Sequence, residues 1–445
     1  MLPSFAALIR TFAHIGCINF GGPAGQIALM HRMLVDERKW IGEARFLNAL
    51  NYCMLLPGPE AQQLATYIGW LMHGVRGGLA AGLLFILPGA LVMLALSALY
   101  AAFTDAGWLQ AMFFGIKCAV LAIVVEALLR VARRALKTSA AWAVAALAFV
   151  ALFFFDAPFP LIVLASGLAG LLLGAAWFAG GGHAKGKGPE KGALDHAIDA
   201  GEINPERRDI SGTMVTIGIW LTLWLAPVGL IAVILPGTVW DDIARFFSET
   251  AIVTFGGAYA VLSHVAAHAV ETRNWLTAPE MLHGLALAET TPGPLILVLQ
   301  HVGYLAAARA DTGLDPVLAG MAGAMLTLWV TFVPSFLMIF AGAPYAETLH
   351  TRPRLSSALA AITAAVVGVI LNLSLWFALH VLFGELTVRS FGPVTLLMPD
   401  FATLNLPASL LTAAALVAVL RFKTGVAILI AAFALLGLGL QWLGL

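Results

Sequence analysis

Three uncommon motifs occur twice in this chain at one fixed spacing. Phe20-Gly21-Gly22 returns as Phe255-Gly256-Gly257, Arg38-x-Trp40 as Arg273-x-Trp275, and Pro57-Gly58-Pro59 as Pro292-Gly293-Pro294, each 235 residues on. Arg10/Arg245, Phe12/Phe247, Val35/Val270, Leu47/Leu282 and Leu50/Leu285 keep the same offset without a gap. A chain built this way folds as two related halves. Both copies lie in apolar segments interrupted by Gly and Pro, a pattern that marks the binding site of secondary transporters.

The medium around those halves is lipid. The 445 residues are 61% apolar and 11% charged. A soluble domain carries about 25% charged residues, so too little polar surface remains here to face water. A bilayer span takes about 20 apolar residues. Runs of that kind cover 76–103, 107–133, 139–156, 158–179, 213–236, 314–345, 354–383, 404–421 and 424–445. Segments 4–35 and 43–73 are broken, at Gly21-Gly22-Pro23 and at Pro57-Gly58-Pro59, and their counterparts are 242–270 and 278–308. Pro88 and Pro334 each sit inside the first long helix of a half. The predicted fold is an all-α polytopic membrane protein with two homologous inverted-topology repeats and broken or re-entrant helices. Its parts are a transport repeat over 1–180, a flexible, solvated cytoplasmic connector over 181–212, a connecting transmembrane helix over 213–240 and a second repeat over 241–445.

The inversion comes from counting. Arg130, Arg133, Arg134 and Lys137 crowd one loop, which the positive-inside rule places in the cytoplasm. From there the connector, the loop with Arg32, Arg38, Lys39 and Arg45, Arg352-Pro353-Arg354 and Arg421-x-Lys423 all fall inside, and Asp241-Asp242 falls outside. Five full spans separate the two copies of the broken region. Five is odd, so the copies face opposite ways.

Each Pro-Gly-Pro is expected to end one short helix and start another, with Gly58 and Gly293 as N-caps and Pro59 and Pro294 at the first helical positions. A helix N-terminus carries about +0.5 elementary charge and attracts anions. Two such ends, related by inversion, would converge on one anion. The substrate-binding candidates are therefore Pro57, Gly58, Pro59, Pro292, Gly293 and Pro294, with Gln62, Gln63, Thr290, Thr291 and Gln300 as hydrogen-bond donors. Gly21-Gly22 and Gly256-Gly257 admit two roles, lining the site or packing helices closely. Glu60 and Glu289 are candidate proton carriers, because an ionisable group in a span is functional by default. Glu60 also has a bland role, complementing the dipole of its half-helix. Arg10, Arg245 and Lys117 are candidates for balancing the substrate's charge, whereas Arg38 and Arg273 read as interfacial anchors.

Other chemistry finds little support. His264 and His268 are one helical turn apart, but no carboxylate or thiol completes a metal set beside them. Cys17, Cys53 and Cys118 have neither metal-ligand nor redox spacing, so no metal and no cofactor is expected. Gly-x-x-x-x-Gly-Lys-[Ser/Thr] is absent, which excludes ATP hydrolysis through that loop. A formal net charge of zero gives no case for nucleic acid. The N-terminus reads as mature sequence, not a signal peptide.

Four stretches together resemble the chromate ion transporter family in its long, two-domain form. They are Phe20-Gly21-Gly22-Pro23-x-x-Gln26, the run Leu56-Pro57-Gly58-Pro59-Glu60-Ala61-Gln62-Gln63-Leu64-Ala65, Gly69-Trp70 through Gly77-Gly78 to Leu87-Pro88-Gly89, and Glu289-Thr290-Thr291-Pro292-Gly293-Pro294-Leu295. The resemblance covers nearly the whole chain and adds Gln26 to the substrate set. It implies a transporter, not an enzyme, that exports chromate across the bacterial inner membrane and gives chromate resistance, with sulfate as an isosteric ligand. Protonation of Glu60 or Glu289 is the expected coupling to the proton gradient, as in an antiporter; a homodimer is left open. The rival readings are a sulfate or other oxyanion carrier, a channel, and a membrane-embedded chromate reductase. The second repeat has Ala258 for Pro23 and Leu295 for Glu60, so unequal contributions from the halves are expected.

Overall fold

The computed structural model describes residues 2–104, 106–178, 191–203, 210–255, 257–346, 353–392 and 394–442. Gly256, one of the expected site residues, lies outside them. The first repeat opens with α1 (Phe5–Ile18), capped by the Ser4 hydroxyl, and α2 (Gly22–His31). A π-helical turn (Arg32–Glu37), α3 (Glu43–Leu55) and α4 (Glu60–Phe103) follow. α4 leaves helical geometry at His73 and Gly74 (φ −138° and 59°), which divides it into two arms. Then come α5 (Gly107–Ala135), α6 (Ser139–Phe155), α7 (Phe159–Leu173) and the short α8 (Ala175–Phe178). The middle of the chain holds α9 (Ala193–Asp199) and α10 (Ile210–Ile234).

The second repeat retraces the first. α11 (Val239–Val253) and α12 (Ala258–Ala266) lead into a π-helical turn (Ala267–Thr272), then α13 (Ala278–Thr290). A 3-10 turn (Leu295–Leu297) opens α14 (Val298–Arg309), and α15 (Pro316–Gly342) starts on Pro316 under an Asp315 cap. α16 (Pro353–Leu382), α17 (Leu406–Leu420) and α18 (Val426–Trp442) complete it. Among the described residues, α4, α5, α10, α15 and α16 are long and apolar enough to cross a bilayer. Helices occupy all nine expected spans, and both broken segments of each half are interrupted as expected.

The duplication reaches backbone detail. The two π-helical turns, Arg32–Glu37 and Ala267–Thr272, fall at the same 235-residue offset. So do Lys39 and Asn274, which share a left-handed backbone (φ 52° and 51°), and Gly58 and Gly293 (φ 123° and 110°). The arms of α4 touch where Gly69 meets Gly77, a Cβ on Gly69 lying 2.4 Å from the Gly77 carbonyl oxygen; α14 and α15 touch in the same way at Gly303 and Gly323. Small residues let such helices approach backbone to backbone, where van der Waals contact takes the place that hydrophobic burial has in water.

The structure adds one element to the expected fold and corrects two expectations. β1 (Leu386–Phe391) and β2 (Val394–Pro399) pair as an antiparallel ribbon among described elements that are otherwise helical. The connector is not wholly loose: α9 docks on the 39–45 loop. The amides of Ala193 and Leu194 donate to the carbonyls of Lys39 and Trp40 (both 2.9 Å), and the Asp195 carboxylate accepts from Gly42 N (2.6 Å), Gly192 N (2.9 Å) and Arg45 Nε (2.6 Å). Finally, Pro59 O accepts the Gln63 amide (3.0 Å), so Pro59 caps its helix. The first helical residue is Glu60, and Gly58 lies one position further out; Pro294 likewise caps the Leu295–Leu297 turn.

The chain packs as two compact units that each draw on both repeats: Met1–Ala95 with Gly182–Gly257 and Thr291–Ser356, and Leu96–Gly181 with Ala258–Thr290 and Ser357–Leu445. In the first, Gly16 lets α1 close on α4, a Cβ there lying 2.0 Å from the Leu84 carbonyl oxygen. α10 contributes few buried groups, Trp224 among them, whose indole donates to Ser248 (3.2 Å). In the second, α5 and α18 meet at Gly115 and Gly437, and α6 and α16 at Gly368.

Candidate functional site

Both Pro-Gly-Pro breaks fall in the first unit, and each is tied to the other repeat. The Gly58 amide donates to the carbonyl of Thr254 at the end of α11 (2.8 Å), and the Gly293 amide donates to the carbonyl of Asn19 at the end of α1 (3.3 Å). Asn19 and Thr254 are themselves 235 residues apart, so the bonds form a reciprocal exchange. Each brings the negative C-terminal end of one repeat's first helix to the positive N-terminal tip of the other's half-helix. The glycines meet equivalent neighbours as well. A Cβ on Gly293 would lie 3.3 Å from Gly89 Cα, and one on Gly58 would lie 3.5 Å from Ser335 Oγ. Gly89 and Ser335 each follow the in-helix proline, Pro88 or Pro334.

Buried amide side chains surround the breaks. Gln26 Nε2 donates to Asn19 O (3.1 Å) and to Gly293 O, tying α2 to both strands of the exchange. Gln63 Nε2 donates to Pro57 O (2.7 Å), Gln300 Nε2 to Ala90 O (3.0 Å) and Asn19 Nδ2 to Phe85 O (3.4 Å). Gln62 donates to Thr66 (2.9 Å) and accepts from Ser335 Oγ (2.6 Å). The side-chain oxygens of Asn19, Gln26, Gln63 and Gln300 are buried without a hydrogen-bond partner among the described residues. In this conformation the Gln26 and Gln63 N–H groups, expected to face an oxyanion, hold the broken backbone instead, and that of Gln300 is bonded to α4. The donors left at each tip are first-turn backbone amides: Gln63 and Leu297 are bonded to Pro59 O and Pro294 O, and the amides before them have no acceptor within their own helix.

The remaining candidates are dispersed. Gly21 and Gly22 lie at positive φ (91° and 67°) between α1 and α2 with open space about them, and so does Gly257 (φ 95°) before α12. Glu60 is half-buried at the first position of α4. Thr291 is buried in the first unit; Thr290, at the end of α13, donates back to Ala286 and Leu287 (both 3.1 Å). Arg10 is exposed on α1, and Arg245 pairs with Asp241 on its own helix (2.5 Å). Lys117, in the second unit, sits over the Phe114 ring (4.8 Å). Glu289 is 5% exposed and accepts a hydrogen bond from Tyr259 Oη. Tyr259, Asn19, Thr254 and Ser335 were not singled out from sequence. The carbonyls of residues 19 and 254 carry no side-chain signal, but Tyr259 does differ from its repeat partner Ala24. Among the described residues no cluster of three His, Cys, Asp or Glu fits a metal ion.

A helical body whose apolar outer face requires lipid, with duplicated helix breaks cross-bonded between its repeats, defines a polytopic membrane transporter. The chain belongs to the chromate transporter family, matching it over residues 6–171 and 242–438. Its relatives include the "Chromate transport protein" of Pseudomonas aeruginosa, 32% identical over 82% of this chain and 79% of that one. The "Probable chromate transport protein" of Synechococcus elongatus is 28% identical over 82% and 83%, and the "Chromate transport protein" of Cupriavidus metallidurans is 27% identical over 82% and 80%. No solved structure matches it.

Proposed function

We propose that this protein exports chromate from the cytoplasm across the bacterial inner membrane, driven by the proton gradient, and so gives chromate resistance. The observation that carries the reading is the reciprocal exchange at Gly58 and Gly293. It draws two half-helix tips into one packed unit, where their first-turn amides offer preorganised donors to a tetrahedral dianion. The odd number of spans between the copies supports inverted repeats and alternating access around that site.

Glu289 is the proposed carrier of the coupling proton. It is buried, its side chain bonded to the Tyr259 hydroxyl, and it directly precedes Thr290-Thr291-Pro292 at the second tip. A negative carboxylate there opposes a dianion and a protonated one does not, which links proton binding to substrate binding. Repeat one has Met54 at the matching position and Glu60 beyond its own break, so the two halves divide the work unequally.

Chromate uptake into everted vesicles, with and without a collapsed proton gradient, tests this. We expect gradient-dependent uptake in the wild type and its loss in Glu289→Gln; gradient-dependent uptake that survives in the variant refutes the role of Glu289. Sulfate uptake in the same vesicles reads out selectivity between tetrahedral dianions.

A further inference from the structure

The second unit contains a cavity of about 460 Å³ that belongs to neither helix break. Its polar walls come from three elements: Ser263, His264 and Glu271 from α12 and the turn after it, Asn372 and His380 from α16, and Asp156 from the corner between α6 and α7. Residues Val388, Thr395 and Leu397 of the β-ribbon line it as well. The walls are tied together, with the Trp376 indole donating to Glu271 (2.6 Å), His380 Nδ1 meeting Trp376 O (2.9 Å) and Asn372 Nδ2 reaching Ser263 Oγ (3.5 Å).

Three features say what such a space takes. First, two carboxylates and two imidazoles face it and, among the described residues, no lysine or arginine does, so its field repels a dianion and favours water and protons. Second, it opens away from the cytoplasm. Asp156 stands at the far end of α6 from Arg133, Arg134 and Lys137, the loop that the charge rule places inside. Third, it lies one helical turn from the partner of a buried acid. Ser263 is one helical turn beyond Tyr259 on the same face of α12, and Tyr259 Oη is bonded to Glu289. The charged groups of α5 that act on Glu289 and Tyr259 are Arg130 and Glu126, which pair with each other (Arg130 Nε to Glu126 Oε1, 3.1 Å). On the cavity side, His268 acts on His264, one turn before it, and Arg273 acts on His268.

We propose that this cavity is the extracytoplasmic proton inlet of the transporter, feeding Glu289 through Asn372, Ser263 and Tyr259. The proposal rests on the reading of Glu289 as the coupling site. The path belongs to the second repeat alone: the positions matching Tyr259, Ser263, His264 and Glu289 in the first are Ala24, Ala28, Leu29 and Met54, none of which transfers a proton.

The test blocks the path in the assembled protein. Ser263→Cys and, separately, Asn372→Cys are made with Cys17→Ser, which removes the exposed native thiol and leaves the buried Cys53 and Cys118. A charged, membrane-impermeant methanethiosulfonate is applied to the outer face of right-side-out vesicles, and the labelled protein is reconstituted. We expect labelling from that face and a fall in gradient-driven chromate flux of about a hundredfold, the lower end of what a lost proton-transfer step costs. Chromate counterflow, which moves no net proton, should persist. Failure of both cysteines to label from outside, or undiminished gradient-driven flux after labelling, overturns the inlet. Glu289→Gln separates the two ideas. If that variant stays gradient-driven, the coupling reading falls and the inlet with it; if it is uncoupled while labelled cysteines change nothing, the inlet alone falls.

Discussion

At the scale of residues, the second helix break is seated against α4 too closely to admit a Cβ at Gly89. A Cβ on Gly89 would lie 1.9 Å from the carbonyl oxygen of Pro292, so a side chain there must push the second break off its seat. We expect Gly89→Ala to lose about 1–3 kcal/mol to overpacking and to impair transport, read as a lowered thermal midpoint in detergent and reduced chromate uptake. Gly218→Ala on α10, where nothing among the described residues lies within 4 Å of the added Cβ, is the control and should keep its stability or gain up to about 1 kcal/mol from helix propensity. Across the pseudo-symmetric position, Ser335 donates to Gln62 Oε1 (2.6 Å). Ser335→Ala leaves that buried oxygen without a donor and should cost about 1–3 kcal/mol. A thermal midpoint equal to the wild type's would show that the bond holds nothing.

At the scale of elements, the repeats are alike in backbone and unlike in chemistry. Both carry a π-helical turn followed by a left-handed residue, Lys39 or Asn274. In the first repeat the loop after the turn is covered by α9, whose Asp195 accepts from two backbone amides and Arg45. Removing that acceptor strands two buried donors and a guanidinium. We expect Asp195→Ala to cost about 1–3 kcal/mol locally and to raise hydrogen exchange and proteolysis across 38–45 and 191–203, with Asp195→Asn, which keeps one acceptor oxygen, falling between. Unchanged protection of the 38–45 loop in the alanine variant would mean that α9 rests there without restraining it. Docking also requires α9 and the 39–45 loop to lie on one face of the membrane, which agrees with the side that the basic residues assign to both.

At the scale of the whole molecule, compactness and duplication do not share boundaries. The repeats divide near the connector, but each compact unit takes segments from both of them. The first repeat alone therefore lacks α11 and α15, against which its own break is seated. We expect residues 1–180 expressed alone to be degraded or aggregated. The same segment co-expressed with 191–445 should give a complex that purifies together and transports chromate. A stable, monodisperse 1–180 fragment would contradict the interleaved packing.

How much of this was legible in the chain follows from what kind of atom makes each contact. Lipid as the surrounding medium, the two repeats, the breaks at Pro57-Gly58-Pro59 and Pro292-Gly293-Pro294 and the family all rest on residue types at fixed spacing. Pro and Gly act on their own backbone wherever they stand, and 20-residue apolar runs act on lipid the same way. Those features needed no tertiary information. The partners of the breaks did, because Gly58 and Gly293 bond to backbone carbonyls at Thr254 and Asn19, and every residue has a carbonyl. The orientation of Gln26, Gln63 and Gln300 also depended on the fold: an amide presents donor or acceptor according to its neighbours. So did the meeting of Tyr259 with Glu289 across 30 residues, and of α6, α12 and α16 around one cavity. The chain by itself determined where the helix is interrupted and what surrounds it. Only the packed structure decided what each interruption faces, since hydrogen-bond pairing between distant backbones depends on position in space and leaves no mark on side-chain identity.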